Sequence, residues 1–289
     1  MKHIRYAVLT AAVAVAAALT LSGCTDSATQ SSDGPSVAKS ADFPAGSTMA
    51  KLHDAGEITI GTKFDQPLFG LKGTGDPEGF DVEIGKLIAA KLGIPASGIT
   101  WKETVSANRE PFIENGTVDL VVATYTINDE RKKVISFAGP YFMAGQSILV
   151  KADDDSITSS DDLKGKPVCS VTGSTPAQKL AEIGAVPKLT DEYTNCLEPL
   201  RSGQVVAVST DNVILAGLSA QNEGEFKIVG KPFTQEPYGI GVKKDDADFR
   251  NFINDVLEDS YKDGSYKKAW QDTAGKELPY VDPPAVDRY

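Results

Sequence analysis

Histidine is nearly missing from this chain: two residues in 289, at positions 3 and 53. A transition-metal centre built on imidazole is therefore not expected, nor is any other cofactor. Positive charge is also short, with 29 Lys and Arg against 40 Asp and Glu and a formal net charge of −11. Affinity for nucleic acid rests on neutralising phosphates, so a chain this acidic is not expected to bind DNA or RNA. Its overall field also repels small anions, and an anionic ligand would need a locally basic pocket. Hydrolase and nucleotide signatures are lacking: GxSxG, HExxH and GxxxxGK[ST] do not occur. TGSTP (172–176) lacks the lysine and glycine spacing of a phosphate loop, and Asp153 to Asp155 read as a solvated acidic turn. These absences point away from an enzyme.

Long apolar runs are confined to the first residues. Lys2 and Arg5 precede an apolar stretch over 7–21, which ends in LSGC (21–24). A short apolar run behind positive charge is a secretory signal rather than a membrane span. The cysteine after small residues resembles the lipobox of bacterial lipoproteins, which implies cleavage after residue 23 and a diacylglycerol on Cys24. Acyl chains on Cys24 would hold the protein at the outer face of the cell membrane. Residues 24–49 are rich in Ser, Asp, Thr, Ala and Gly and read as a flexible tether. With Cys24 assigned to lipid, Cys169 and Cys196 remain as an even pair in an exported domain, where a disulfide is expected.

From residue 57 onward, strand and helix patterns alternate. EITIGT (57–62) alternates like a strand, and Phe80, Ile84, Leu87, Ile88 and Leu92 share one helical face that ends at Gly93 and Pro95. Strands follow at 99–103, 118–123 and 146–150, with a short helix at 110–115. A second block places strands at 168–171, 205–209 and 226–229, and helices at 176–183, 196–202 and 213–219. GIGV (239–242) and helices around 249–261 and 266–272 close the chain. Such alternation predicts open, mainly parallel α/β sheets, whose ligands sit beyond the carboxyl ends of strands. ATYTINDERKK (123–133) falls at such an end: Thr124, Tyr125 and Thr126 follow an apolar run, and Arg131 lies in the next turn of helix.

Three stretches carry a family resemblance: GFDVEIGKLIAAKLG (79–93), SANREPFIENGTVDLVVATYTINDERKKVISFAGPY (106–141) and VTGST (171–175). Together they resemble the bacterial extracellular solute-binding proteins for polar amino acids, nearest to the glutamate-binding lipoproteins of ABC importers. The resemblance runs from about Lys51 to Asp272. It implies a two-lobed, type II periplasmic-binding-protein fold with two hinge strands. Lobe 1 would hold 50–142 and 237–289, and lobe 2 would hold 143–236. A monomer is expected, which would close on L-glutamate or L-aspartate and deliver it to a permease. Glutamine or asparagine binding, ligand sensing for a signalling system, and a dehydratase on the same scaffold are the alternatives.

A zwitterion in a dry cleft needs an opposite charge or several oriented dipoles at each of its ends. The fork of Arg131 suits an α-carboxylate, with backbone N–H groups at Thr126, Ser174 and Thr175 beside it; the resemblance implies that use of Arg131 and Thr175. For the α-ammonium it implies Asp211, the Thr126 hydroxyl and the Thr124 carbonyl. Asp211 alternatively reads as a helix N-cap. For the side chain it implies Lys63, Ser106 and Arg109, and two cations at one end of a cleft favour a dicarboxylate. The loop holding Lys63 is one residue shorter than in some members, and a surface lysine is the alternative there. His53 reads as a surface residue.

Overall fold

The structure, a computed structural model, describes residues 34–38 and 42–289. The signal segment and Cys24 lie outside the described residues. Helix α1 (Thr48–Ala55) leads into β1 (Ile58–Thr62), the hairpin of β2 (Asp65–Gln66) and β3 (Gly70–Leu71), and helix α2 (Phe80–Lys91). Then come β4 (Ile99–Glu103), α3 (Arg109–Glu114), β5 (Leu120–Val121), α4 (Asp129–Lys132) and the long strand β6 (Ile135–Ala144). The second block runs β7 (Gln146–Lys151), β8 (Pro167–Val171), α5 (Thr175–Glu182), β9 (Val186–Thr190), α6 (Leu197–Arg201), β10 (Ala207–Asp211), α7 (Asn212–Gln221) and β11 (Phe226–Val229). Finally β12 (Glu236–Lys243), α8 (Ala247–Asp263) and α9 (Ser265–Asp272) return to the first block.

Two five-stranded sheets result, ordered β4-β1-β5-β12-β6 and β11-β7-β10-β8-β9. They form the cores of two lobes, and the chain crosses between them after β6 and before β12. Each sheet is mixed rather than mainly parallel. In the first, β1 pairs parallel with β4 and β5, but β12 is antiparallel to β5 and β6. In the second, β8 pairs parallel with β9 and β10, while β7 is antiparallel to β10 and β11. The cause is topological. A chain that leaves a lobe on β6 and comes back on β12 must run the two strands in opposite directions.

Local signals set the helix ends. The Ser47 side chain accepts from the Ala50 N–H at 3.1 Å, and α1 stops at Gly56, whose left-handed backbone (φ 68°) suits glycine. Asp246 caps α8 through the Phe249 N–H at 3.1 Å. That helix buries Phe249, Ile253, Val256 and Leu257, one face at helical spacing. Helix α2 buries nine residues, from Phe80 to Ala90, and so lies inside lobe 1 rather than on it. Phe69, Phe80, Phe142, Tyr238 and Trp270 pack ring to ring beneath the crossing strands, with Phe142 stacked on Trp270 at 5.2 Å. Aromatic pairs of this kind add about 0.5–1.5 kcal/mol beyond the area they bury, which fixes both crossing strands to lobe 1.

Three parts differ from the sequence reading. The segment expected as a tether is docked in its described part: the Ala38 N–H donates to Ala90 O, and the Phe43 ring meets His53 and Phe252. His53 is accordingly half-buried, with Nδ1 at 2.7 Å from Leu92 O, and is not a surface residue. Strands β6 and β9 had no counterpart in the sequence reading. At the other end, the tail lies along the outer edge of β6. The Asp287 N–H donates to Gly139 O, the Phe137 N–H donates to the Tyr289 hydroxyl, and the Tyr289 ring covers Lys132 at 4.0 Å.

Cys169 on β8 and Cys196 before α6 are joined by a disulfide across a separation of 27 residues. Closing a loop of that length restrains the unfolded chain by roughly 3.5 kcal/mol. The paired Cys169→Ser, Cys196→Ser variant is therefore expected to melt about 10 °C lower, read by calorimetry against the oxidised parent. The lobes also touch without ligand groups. Gly217 on α7 faces Pro67 of lobe 1 so closely that an added Cβ would lie 2.4 Å from the Pro67 carbonyl oxygen. Alanine favours a helix over glycine by about 1 kcal/mol. Gly217→Ala should thus keep its melting temperature while small-angle scattering shows a larger radius of gyration, as the lobes are wedged apart. An unchanged radius would refute the contact.

Candidate functional site

The carboxyl ends of β1, β5 and β10 and the start of α5 converge on the seam between the lobes. A cavity there is lined by Ser106, Arg109, Thr124 and Thr126 from lobe 1 and by Ser174, Thr175 and Asp211 from lobe 2, together with Gln66, Tyr193, Thr210 and Ile214. Seven of the nine candidate ligand residues therefore meet in one place. The other two, Lys63 and Arg131, flank it. Lys63 Nζ donates to Ser106 Oγ at 2.9 Å, and Arg131 reaches the backbone of Thr126 and Gly173.

Arg131 is placed by α4, whose cap Asn128 accepts from the Arg131 N–H at 2.9 Å. Its Nη1 donates to Thr126 O at 2.6 Å and its Nη2 to Gly173 O of lobe 2 at 3.0 Å, while Nε pairs with Glu110 at 3.0 Å. Arg131 is 7% exposed and is therefore not a solvated helix residue. Arg109 donates to Ser106 O, Ala123 O and, across the seam, Gly173 O at 3.3 Å. Both guanidinium groups lie over the Tyr125 ring, at 4.2 and 4.9 Å. This explains the aromatic between two threonines: its face steadies two cations. Gly173 (φ 78°) has no room for a side chain, because an added Cβ would lie 2.9 Å from Ala107 Cα.

Burial of like charges shifts these groups. Burial and then the neighbouring Arg109 lower the Lys63 pKa to about 7, with Asp65 opposing. Burial and then Arg109 lower that of Arg131 to about 10. Lys63 is 3% exposed, so it is not a surface lysine. Its neighbour Asp65 accepts from the Tyr193 N–H at 2.8 Å, tying lobe 1 to lobe 2.

Acidic groups line the same seam. Asp211 stands at the N-cap position of α7, but its side chain makes no capping bond. Instead Oδ2 accepts from the Tyr238 hydroxyl at 2.6 Å, and Oδ1 is buried without a hydrogen-bond partner. Burial and then the nearby Glu236 raise its pKa to about 7. A buried acceptor left open beside a cavity is a demand for a donor. Asp81 supports the site from beneath: Oδ2 accepts from the Thr124 N–H at 2.7 Å and Oδ1 from the Tyr141 hydroxyl at 2.6 Å. It holds Thr124 at φ 44°, a left-handed conformation that a β-branched residue adopts only under constraint. The Thr124 hydroxyl is fixed in turn by Gln66 Oε1 at 2.9 Å.

Sequence reasoning missed Gln66, Asp81, Tyr193, Glu236 and Tyr238. The only available signal was polar residues placed where apolar ones are expected, such as Asp81 in the first turn of a helix that buries nine of its twelve residues.

Comparison with known proteins agrees with this geometry. Residues 58–273 match the model of the bacterial extracellular solute-binding proteins, family 3. Glutamate-binding protein GluB of Corynebacterium efficiens is 40% identical over 281 residues, 93% of this chain and 90% of that one. The ABC transporter glutamine-binding protein GlnH of Bacillus subtilis is also 40% identical, over 78% of this chain and 83% of that one. Among solved structures, an ancestral arginine-binding protein bound to glutamine superposes with a TM-score of 0.71 at 40% identity, covering 75% of this chain and 97% of that one. With two α/β lobes closed over a cavity that holds buried charges of both signs, and a family match through both lobes, this chain belongs to the bacterial extracellular solute-binding proteins of family 3.

Proposed function

We propose that this protein binds L-glutamate between its lobes and hands it to the permease of an ABC importer, held at the outer face of the cell membrane by lipid on Cys24. L-aspartate is the next candidate. Arg131 and the backbone N–H groups of Thr126, Ser174 and Thr175 take the α-carboxylate, Asp211 takes the α-ammonium, and Lys63, Ser106 and Arg109 take the side-chain carboxylate. The observation that carries this reading is the convergence of Lys63, Arg109 and Arg131 on one buried seam, where burial and mutual repulsion depress Lys63 and Arg131. A side-chain carboxylate relieves that repulsion at Lys63 and Arg109; a side-chain amide leaves it in place. Closure follows because a ligand held by lobe 1 gains the contacts of Ser174, Thr175 and Asp211 only when lobe 2 swings in. Glutamine is the competing reading. It is favoured by a Lys63 amine that is half-neutral near pH 7 and by relatives of equal identity named for either ligand.

Titration calorimetry with glutamate, aspartate, glutamine and asparagine separates the readings, and glutamate is expected to bind most tightly. Arg131→Ala should abolish measurable binding, since an unpaired buried carboxylate costs about 3–5 kcal/mol. Arg109→Ala and Lys63→Asp should weaken glutamate more than glutamine. Equal losses for the two ligands would show that these cations do not read the side chain.

The pH dependence has a definite sign. A dicarboxylate favours charged Lys63, whose pKa in the protein is about 7, so above pH 7 binding must take up a proton. Glutamate affinity then falls by up to about tenfold per pH unit. Below pH 7, Asp211, also at about 7, loses the charge that the ammonium needs, and affinity falls again. Glutamine should show the acid limb alone. Glutamate affinity that stays flat from pH 7 to 9 would remove Lys63 from the site.

A further inference from the structure

The structure assigns a further role in this cleft to Glu236: it fixes the direction of two hydroxyl groups so that they can only accept from the ligand, making it a positioning residue for the α-ammonium. The inference rests on the reading of the cleft given above. Glu236 opens the crossing strand β12 and is 4% exposed. Its Oε2 accepts from Thr126 Oγ1 of lobe 1 at 2.8 Å and from Thr175 Oγ1 of lobe 2 at 2.7 Å. Its Oε1 accepts from Thr234 Oγ1 at 2.7 Å. The two cleft hydroxyls are thereby brought to 3.4 Å from each other, although they come from opposite lobes.

A hydroxyl carries one proton, and a carboxylate oxygen only accepts. Once Thr126 and Thr175 give their protons to Glu236, each faces the rest of the cavity with lone pairs alone. Both line the same cavity as Asp211, whose Oδ1 is buried and unpartnered. Thr126 Oγ1, Thr175 Oγ1 and Asp211 Oδ1 together form an acceptor set suited to a primary ammonium, whose three N–H bonds need three acceptors. The same set repels a carboxylate, so Thr175 serves the ligand's carboxylate through its backbone N–H and not through its hydroxyl. Strand alternation brings a second contact into line: Glu236 and Tyr238 share a face of β12, and Tyr238 holds Asp211 from that side. One crossing strand thus orients the whole ammonium pocket.

The test compares L-glutamate with glutarate, which keeps both carboxylates and lacks the α-amino group. Calorimetry is run on the wild type, Glu236→Ala and Glu236→Gln, with each melting temperature measured alongside. The wild type should prefer L-glutamate. Glu236→Ala frees two hydroxyl protons to face the ligand, and the preference for L-glutamate should fall by about tenfold or more, the scale of hydrogen bonds to a charged group. Glu236→Gln keeps the volume but adds a competing NH₂ donor, and the preference should fall by about threefold. If the alanine variant does not fold, the glutamine variant decides alone. Equal weakening of both ligands would mark Glu236 as merely structural and overturn the inference, as would an unchanged preference. Should the wild type bind glutamine instead of glutamate, the pair becomes L-glutamine and 4-carbamoylbutanoate, so that failure of the glutamate assignment is read separately.

Discussion

Charges removed from water must be met by other charges or by aligned dipoles, and that demand organises this protein. Three cations and the carboxylates of Asp65, Asp81, Asp211 and Glu236 are buried along one seam. Left unpaired, each would cost several kcal/mol. The structure answers with short bonds, several of which cross between the lobes. Gly173 O accepts from two arginines of the opposite lobe, and the Tyr193 N–H reaches Asp65. The lobes are therefore joined through charged groups of the seam itself.

The crossing strands do more than connect. Tyr141 on β6 holds Asp81, and Tyr238 on β12 holds Asp211, each through a phenol-to-carboxylate bond of 2.6 Å. The two rings lie 6.2 Å apart within the aromatic nest of lobe 1. Of these two carboxylates one stands in each lobe, and both are reached from the crossing strands. A change in the angle between the lobes therefore acts on the bond from Tyr238 to Asp211, whereas the links from Tyr141 to Asp81 and on to Thr124 lie wholly within lobe 1.

Much of this was legible in the chain itself. The alternation of strand and helix gave the α/β class, and the end of the LVVA run marked Thr124 to Arg131 as a loop at a strand's carboxyl end. The pairing of Cys169 with Cys196 followed from parity in an exported domain. Strand β6 escaped notice because Gly139 and Pro140 interrupt it at its centre, and such a dipeptide ordinarily marks a turn. Strand β9 is short, half-exposed and carries Pro187, so no alternation survived to be read. Asp81, Glu236 and Tyr238 stayed invisible for a different reason. Their partners Tyr141, Thr126 and Asp211 lie 60, 110 and 27 positions away, and no local periodicity encodes a hydrogen bond between distant elements.

The tail that runs beside β6 has a practical corollary. Its last residue rests on Lys132, the immediate neighbour of Arg131, and on the strand through which the chain first leaves lobe 1. A dye coupled at that point would report from the back of the arginine's helix without entering the cleft. Polar groups of an outer strand are also covered there by the molecule's own tail, which denies that part of the edge to other chains.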